Sequence, residues 1–68
     1  MITIQLNGES KQIKQDSTVS TLLNMLEMQN RRLAVEVNRR IIPRSNYHSH
    51  ILKDADEVEI VQAIGGGQ

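Results

Sequence analysis

The pair Asn7-Gly8 stands between an alternating run and a mostly polar one, and it narrows the folds open to this chain more than any other feature. Before it, Ile2, Ile4 and Leu6 alternate with Thr3 and Gln5; after it, residues 9–14 are polar apart from Ile13. A type I′ turn needs positive φ at both central positions, and Asn followed by Gly meets that need with the least strain. The pattern predicts a hairpin with one buried face, its polar second strand at a sheet edge. With 68 residues, the chain forms one domain.

Asp16-Ser17-Thr18 is a cluster of N-cap residues, and Thr18 is the expected cap. Val19, Leu22, Leu23 and Leu26 then follow at the i, i+3, i+4, i+7 spacing of an amphipathic helix, with Met25 and Met28 alongside. Asn30 is the expected left-handed residue at its end. Leu33, Val35 and Val37 alternate with Ala34 and Glu36 and predict a third strand. Asn38-Arg39-Arg40 turns the chain into a short apolar step at Ile41-Ile42, which Pro43 halts by removing a ladder donor. Residues 44–50 read as irregular or as a short helical turn, Ile51 and Leu52 return to the core, and Asp54-Ala55-Asp56 turns again. On a last strand Val58 and Ile60 face inward, with Glu57, Glu59 and Val61 outward. This order predicts an α+β fold of the β-grasp type: a mixed sheet wrapped around one helix, first and last strands parallel at its centre.

Composition sets further bounds. Tyr47 is the only aromatic residue, so the core is expected to consist of Ile, Leu, Val and Met. Without cysteine there is no disulfide, thiolate metal site or cysteine nucleophile, and a reducing, cytoplasmic setting fits. A net charge of zero argues against a general nucleic-acid binder. No apolar run approaches the roughly 20 residues of a membrane span. His48 and His50 offer two imidazoles where zinc takes three or four protein ligands, so no metal site is expected. Ser45 with a histidine and an aspartate lacks a nucleophile elbow or oxyanion loop, so no active site is expected within the chain itself.

Beyond Val61, Ala63 and Ile64 the side chains vanish: Gly65, Gly66 and Gly67 follow, with Gln68 last. Ordering three glycines costs more backbone entropy than ordering any other tripeptide, and they pack nothing. Residues 1–64 therefore read as the domain and residues 65–68 as a flexible arm able to enter a slot where any Cβ would collide. Val61, Ala63 and Ile64 are the candidate docking surface that aims it. Five of the eight basic residues, Arg31, Arg32, Arg39, Arg40 and Arg44, precede an acidic group at Asp54, Asp56, Glu57 and Glu59. Arg39 and Arg40 are the candidates for steering a charged protein partner.

These features together resemble the ubiquitin-like sulfur carriers, most closely those of the ThiS type from thiamine biosynthesis. The resemblance spans Ile4-Gln5-Leu6-Asn7-Gly8-Glu9, Thr18-Val19 with Leu22-Leu23, and Val35-Glu36-Val37-Asn38. It continues through Ile42-Pro43-Arg44, His50-Ile51-Leu52, Asp54-Ala55-Asp56, Val58-Glu59-Ile60-Val61 and the glycine end. It implies a carrier that is monomeric when free, binds no cofactor and is not itself an enzyme. An E1-like adenylating enzyme (ThiF-like) would use ATP and magnesium to activate the terminal glycine carboxylate. Sulfur from a cysteine desulfurase or another donor would convert it to a thiocarboxylate, and thiazole synthase (ThiG-like) would take the sulfur into the thiazole ring. By position, Gly67 would carry the sulfur while Gly65 and Gly66 thread the partner's channel. Carriers for molybdopterin or amino-acid sulfur, and ubiquitin-like protein modifiers, share these traits. The family ends on its glycines, whereas Gln68 follows here. That residue is trimmed by a peptidase, or is an addition to the natural chain, or belongs to a pathway with tail processing.

Overall fold

Asn7 (φ 51°) and Gly8 (φ 85°) occupy the two left-handed positions of the expected type I′ turn in the computed structural model, which describes residues 1–62. The turn joins β1 (Ile2–Leu6) to β2 (Glu9–Ile13), paired antiparallel from Leu6↔Glu9 to Ile2↔Ile13. Alternation along β1 buries Ile4 and leaves Gln5 exposed, and Ile13 is the one fully inward residue of β2.

The helix α1 (Val19–Met25) starts where the hydroxyls predict: Thr18 Oγ1 accepts from the backbone N–H of Thr21 at 3.1 Å. It ends earlier than the sequence suggests. Glu27 (φ 60°), not Asn30, takes the left-handed position. The N–H of Met28 donates to the Leu23 carbonyl at 2.8 Å and that of Glu27 to the Asn24 carbonyl at 3.0 Å, the two bonds of a Schellman motif. The physical reason lies in Met28: it leaves the helix to pack against the core, while Met25 on the continuing helical face stays exposed.

Next come β3 (Leu33–Val37) and β4 (Arg40–Ile42), paired at Val37↔Arg40 through Val35↔Ile42. Their connection is a second two-residue turn, with Asn38 at φ 52° and Arg39 at φ 70°. A single 3₁₀ turn (Arg44–Asn46) follows Pro43, and β5 (Glu57–Gln62) closes the fold. The sheet order is β2-β1-β5-β3-β4, with β5 parallel to β1 (Leu6↔Val58) and antiparallel to β3 (Val37↔Val58). This is the mixed α+β arrangement expected, with the first and last strands side by side and β5 at its centre.

One face of the sheet and one face of α1 form a single core in which Ile4, Val19, Leu22, Val35, Leu52 and Val58 are all but fully enclosed. Two expectations need correction. Tyr47 belongs to this core, at 8% exposure, because the 3₁₀ turn directs the only aromatic ring inward, and no methionine is fully buried. Ile51 stays 48% exposed while Leu52 is enclosed, since extended neighbours face opposite sides and Ile51 is used in a backbone bridge to Thr18.

Leu22→Ala should therefore cost about 2–5 kcal/mol, and Leu26→Ala, at the half-buried helix end, clearly less; chemical melts of the two variants check the order. Glu27→Gly and Arg39→Gly each remove a Cβ from a left-handed position. Each should raise stability by roughly 0.5–1 kcal/mol in the same melts.

Candidate functional site: the outgoing end of the central strand

In sequence the glycine run begins three residues after Gln62, so the outgoing end of β5 is the part of the described structure nearest to it. The strand's alternation fixes its two faces: Val58 and Ile60 are enclosed, whereas Glu57, Glu59 and Val61 look outward. Its two neighbours do not support it equally. On one side β3 runs alongside to the end, through Ala34↔Val61 and Leu33↔Gln62. On the other side β1 stops at Leu6, opposite Val58, because the chain turns away at Asn7-Gly8.

Asn7 fills the gap that the turn creates. Its backbone N–H donates to the Val58 carbonyl at 2.9 Å. Its side-chain Oδ1 then accepts from the Ile60 N–H at 2.9 Å, and Nδ2 donates to the Ile60 carbonyl at 3.4 Å. A carboxamide has the donor and acceptor of a peptide group, so it stands in for the ladder step β1 does not supply. At the other end of β5, Asn38 plays a matching part. Its N–H donates to the Glu57 carbonyl at 2.7 Å, its Oδ1 accepts from the Glu57 N–H at 2.9 Å, and its Nδ2 reaches Asp56 Oδ1 at 3.0 Å. Reading Asn7 and Asn38 as turn formers missed this second use. The signal was faint: Asn where Gly would also serve leaves a carboxamide free to bond elsewhere.

The residues singled out from the sequence separate in space. Val61 is 63% exposed, on the outer sheet face beside the exposed Ala34. Next along that face Glu59 stands directly across from Glu36. Arg39 and Arg40 lie at the opposite end of β5, beside the Asn38 turn and Glu57. From the position across from Val37 to Val61 is about 10 Å at roughly 3.3 Å per residue. Arg31 and Arg32 instead adjoin Leu33, the partner of Gln62, and Arg44 Nη2 donates to the Arg31 carbonyl at 3.3 Å. The basic segment is thus split between the two ends of the sheet. Ala63, Ile64, Gly65, Gly66, Gly67 and Gln68 lie outside the described residues.

The remaining candidates have local duties. Asp54 Oδ1 accepts from the Thr3 N–H and Asp56 Oδ2 from the Lys53 N–H, both at 2.8 Å. The His50 carbonyl accepts from the Val19 N–H at 3.1 Å, while the His48 side chain is exposed. Among the described residues no three His, Cys, Asp or Glu side chains converge on a metal position, and no helix is long and apolar enough to cross a membrane. A cleft of about 490 Å³ opens between Arg40, His50, Ile51 and Lys53, at the Asn38 end and away from Val61.

This architecture, with its glycine run following the central strand, meets an independent likeness in sequence: a model of the ThiS family matches residues 4–67. The chain belongs to the ThiS family of sulfur carriers. The sulfur carrier protein ThiS of Bacillus subtilis is 40% identical over 65 residues, which cover 94% of this chain and 98% of that one. The crystal structure of the thiamine biosynthesis protein ThiS from Geobacter metallireducens superposes with a TM-score of 0.84 at 28% identity, over 97% of this chain and 100% of that one. The β-grasp fold is thereby established. A thiazole synthase of Paramagnetospirillum magneticum is 42% identical over 62 residues, spanning 91% of this chain but 19% of that protein. A ThiS-like segment is thus part of a thiazole synthase polypeptide.

Since Val61 is exposed on the outer face of this family member, Val61→Asp should alter stability by no more than about 0.5 kcal/mol in a denaturant melt.

Proposed function

We propose that this ThiS-family chain is a protein cosubstrate that carries sulfur on the carboxylate of Gly67 for the thiazole ring of thiamine. The observation that carries the reading is the placement of three successive glycines just beyond the central strand, in a chain matched by the ThiS family as far as Gly67. A carboxylate is a poor electrophile. An E1-like adenylating enzyme with ATP and magnesium converts it to an acyl adenylate, releasing pyrophosphate. The terminal persulfide sulfur of a cysteine desulfurase or other donor then displaces AMP to form an acyl disulfide, and a thiol reductant cleaves its S–S bond to leave the thiocarboxylate and a disulfide. Gly67 leaves that carbonyl unhindered, and Gly65 and Gly66 let the backbone pass a channel too narrow for side chains. The folded body supplies alignment, so only the last residues lose freedom on docking. The chain needs no catalytic group, metal or cofactor of its own for this role, which is exercised in the cytoplasm.

Thiazole synthase is the proposed acceptor of the sulfur. The support is the thiazole synthase of Paramagnetospirillum magneticum, which carries a 42% identical segment within its own chain. Linking two partners raises their effective concentration, an advantage only where the two act together. Val61, with Ala63 and Ile64, forms the apolar contact that aims the arm. Arg39 and Arg40, at the far end of β5, contribute long-range steering, which acts on association rate and fades in high salt.

Gln68 supplies the decisive test. One added residue displaces the carboxylate by about 3.3 Å if extended, and a misplacement of about 1 Å can cost ~100-fold in rate. Chains ending at Gln68, Gly67 and Gly66 are incubated with the adenylating enzyme, ATP, magnesium and a sulfur source, and their intact masses are read. Exchange of one oxygen for sulfur is expected on the Gly67 form, with the other two slow. Equal thiocarboxylation of the full chain, with Gln68 still attached, would remove Gly67 from the reactive position.

A further inference from the structure

We infer that Asn7 is a positioning residue for the carrier's C-terminal chemistry, acting through Ile60 rather than on the reacting atoms. The inference rests on the carrier reading above and adds a residue to it. β5 is supported on both sides by backbone only as far as Val58, because β1 ends at Leu6. Beyond that point β3 is the only neighbouring strand, and the Asn7 carboxamide is what holds the free edge, gripping both the N–H and the carbonyl of Ile60. Ile60 is 8% exposed while Asn7 is exposed, so these bonds are partly shielded from water.

Two residues after Ile60 the described strand ends at Gln62, paired with Leu33 alone. A strand held along one edge can pivot about that edge; one held on both edges leaves the sheet in one direction. The direction matters because a productive arm must deliver its terminal carboxylate into a partner's channel. An arm whose base pivots is misdirected part of the time, and each misdirected encounter is unproductive. The penalty then falls on the concentration of carrier needed, not on the chemical step once the arm is seated.

Asn38 makes a built-in control. It occupies the same left-handed first position of a two-residue turn, and its carboxamide likewise bonds β5 backbone, at the Glu57 N–H. It does so at the incoming end, where its loss leaves the Ile60 grip untouched. Glycine keeps both turns, since it accepts positive φ without strain, and removes only the carboxamides.

The experiment compares the parent, Asn7→Gly and Asn38→Gly, each as the full chain and as the chain ending at Gly67. Amide hydrogen exchange is followed by NMR, and thiocarboxylation by the adenylating enzyme with a sulfur source is measured against carrier concentration. Asn7→Gly is expected to speed exchange at Ile60 and to raise the carrier's KM, each by about fivefold, the equivalent of one ordinary hydrogen bond. Its kcat should stay unchanged. Asn38→Gly should speed exchange at Glu57 and leave KM at the parent value. Unchanged exchange at Ile60 in Asn7→Gly overturns the grip. Equal KM changes in the two variants overturn the positioning role, because they would reflect general loosening. If no parent chain is thiocarboxylated, the carrier reading fails and takes the positioning role with it, while the exchange comparison still decides the grip.

Discussion

The parallel pairing of β1 with β5 is the contact on which the rest of the structure depends. It joins Gln5 to Glu57 and Leu6 to Val58, across almost the whole chain. Parallel strands cannot be linked by a tight turn, so the intervening residues must cross from one to the other. They do so with β2, α1, β3, β4 and the 3₁₀ turn. That traverse brings Val19, Leu22 and Leu23 over the sheet and seats Tyr47 and Leu52 in the same core. It also makes the last strand the middle one, flanked by β1 and β3.

A central last strand suits a sulfur carrier. The body holds β5 through buried Val58 and Ile60, and the sequence beyond it runs through Ala63 and Ile64 to three successive glycines. The two hairpin turns contribute as well. Each places an asparagine at its first left-handed position, and each carboxamide bonds the backbone of β5, one near its start and one near its end. Local turn chemistry and long-range support are delivered by the same two residues.

Much of the fold was legible because short-range rules decide it. Asn7-Gly8 and the alternation before it gave the hairpin, Thr18 gave the helix start, and the Val58/Ile60 alternation gave the faces of β5. The misreadings share one cause: a residue's burial depends on what packs across from it. Asn30 looked like the helix end, yet Met28 is drawn to the core and the helix closes at Glu27 instead. Tyr47 looked like a loop residue, yet it fills space between the 3₁₀ turn and the helix, where its backbone carbonyl accepts from the Ser20 N–H.

For the functional end the division is sharper. The glycine run, the lack of catalytic cysteine and the outward place of Val61 on β5 are properties of the chain read by itself, since they need only residue type and period. Which basic residues stand near the outgoing end was decided by tertiary structure, because antiparallel pairing of β3 with β5 carries Arg39 and Arg40 to the opposite end and leaves Arg31 and Arg32 beside Leu33. The grip of Asn7 on Ile60 was likewise a tertiary matter. Fifty-three residues separate the two, and only the β1–β5 pairing brings the carboxamide to a backbone that would otherwise lack its partner.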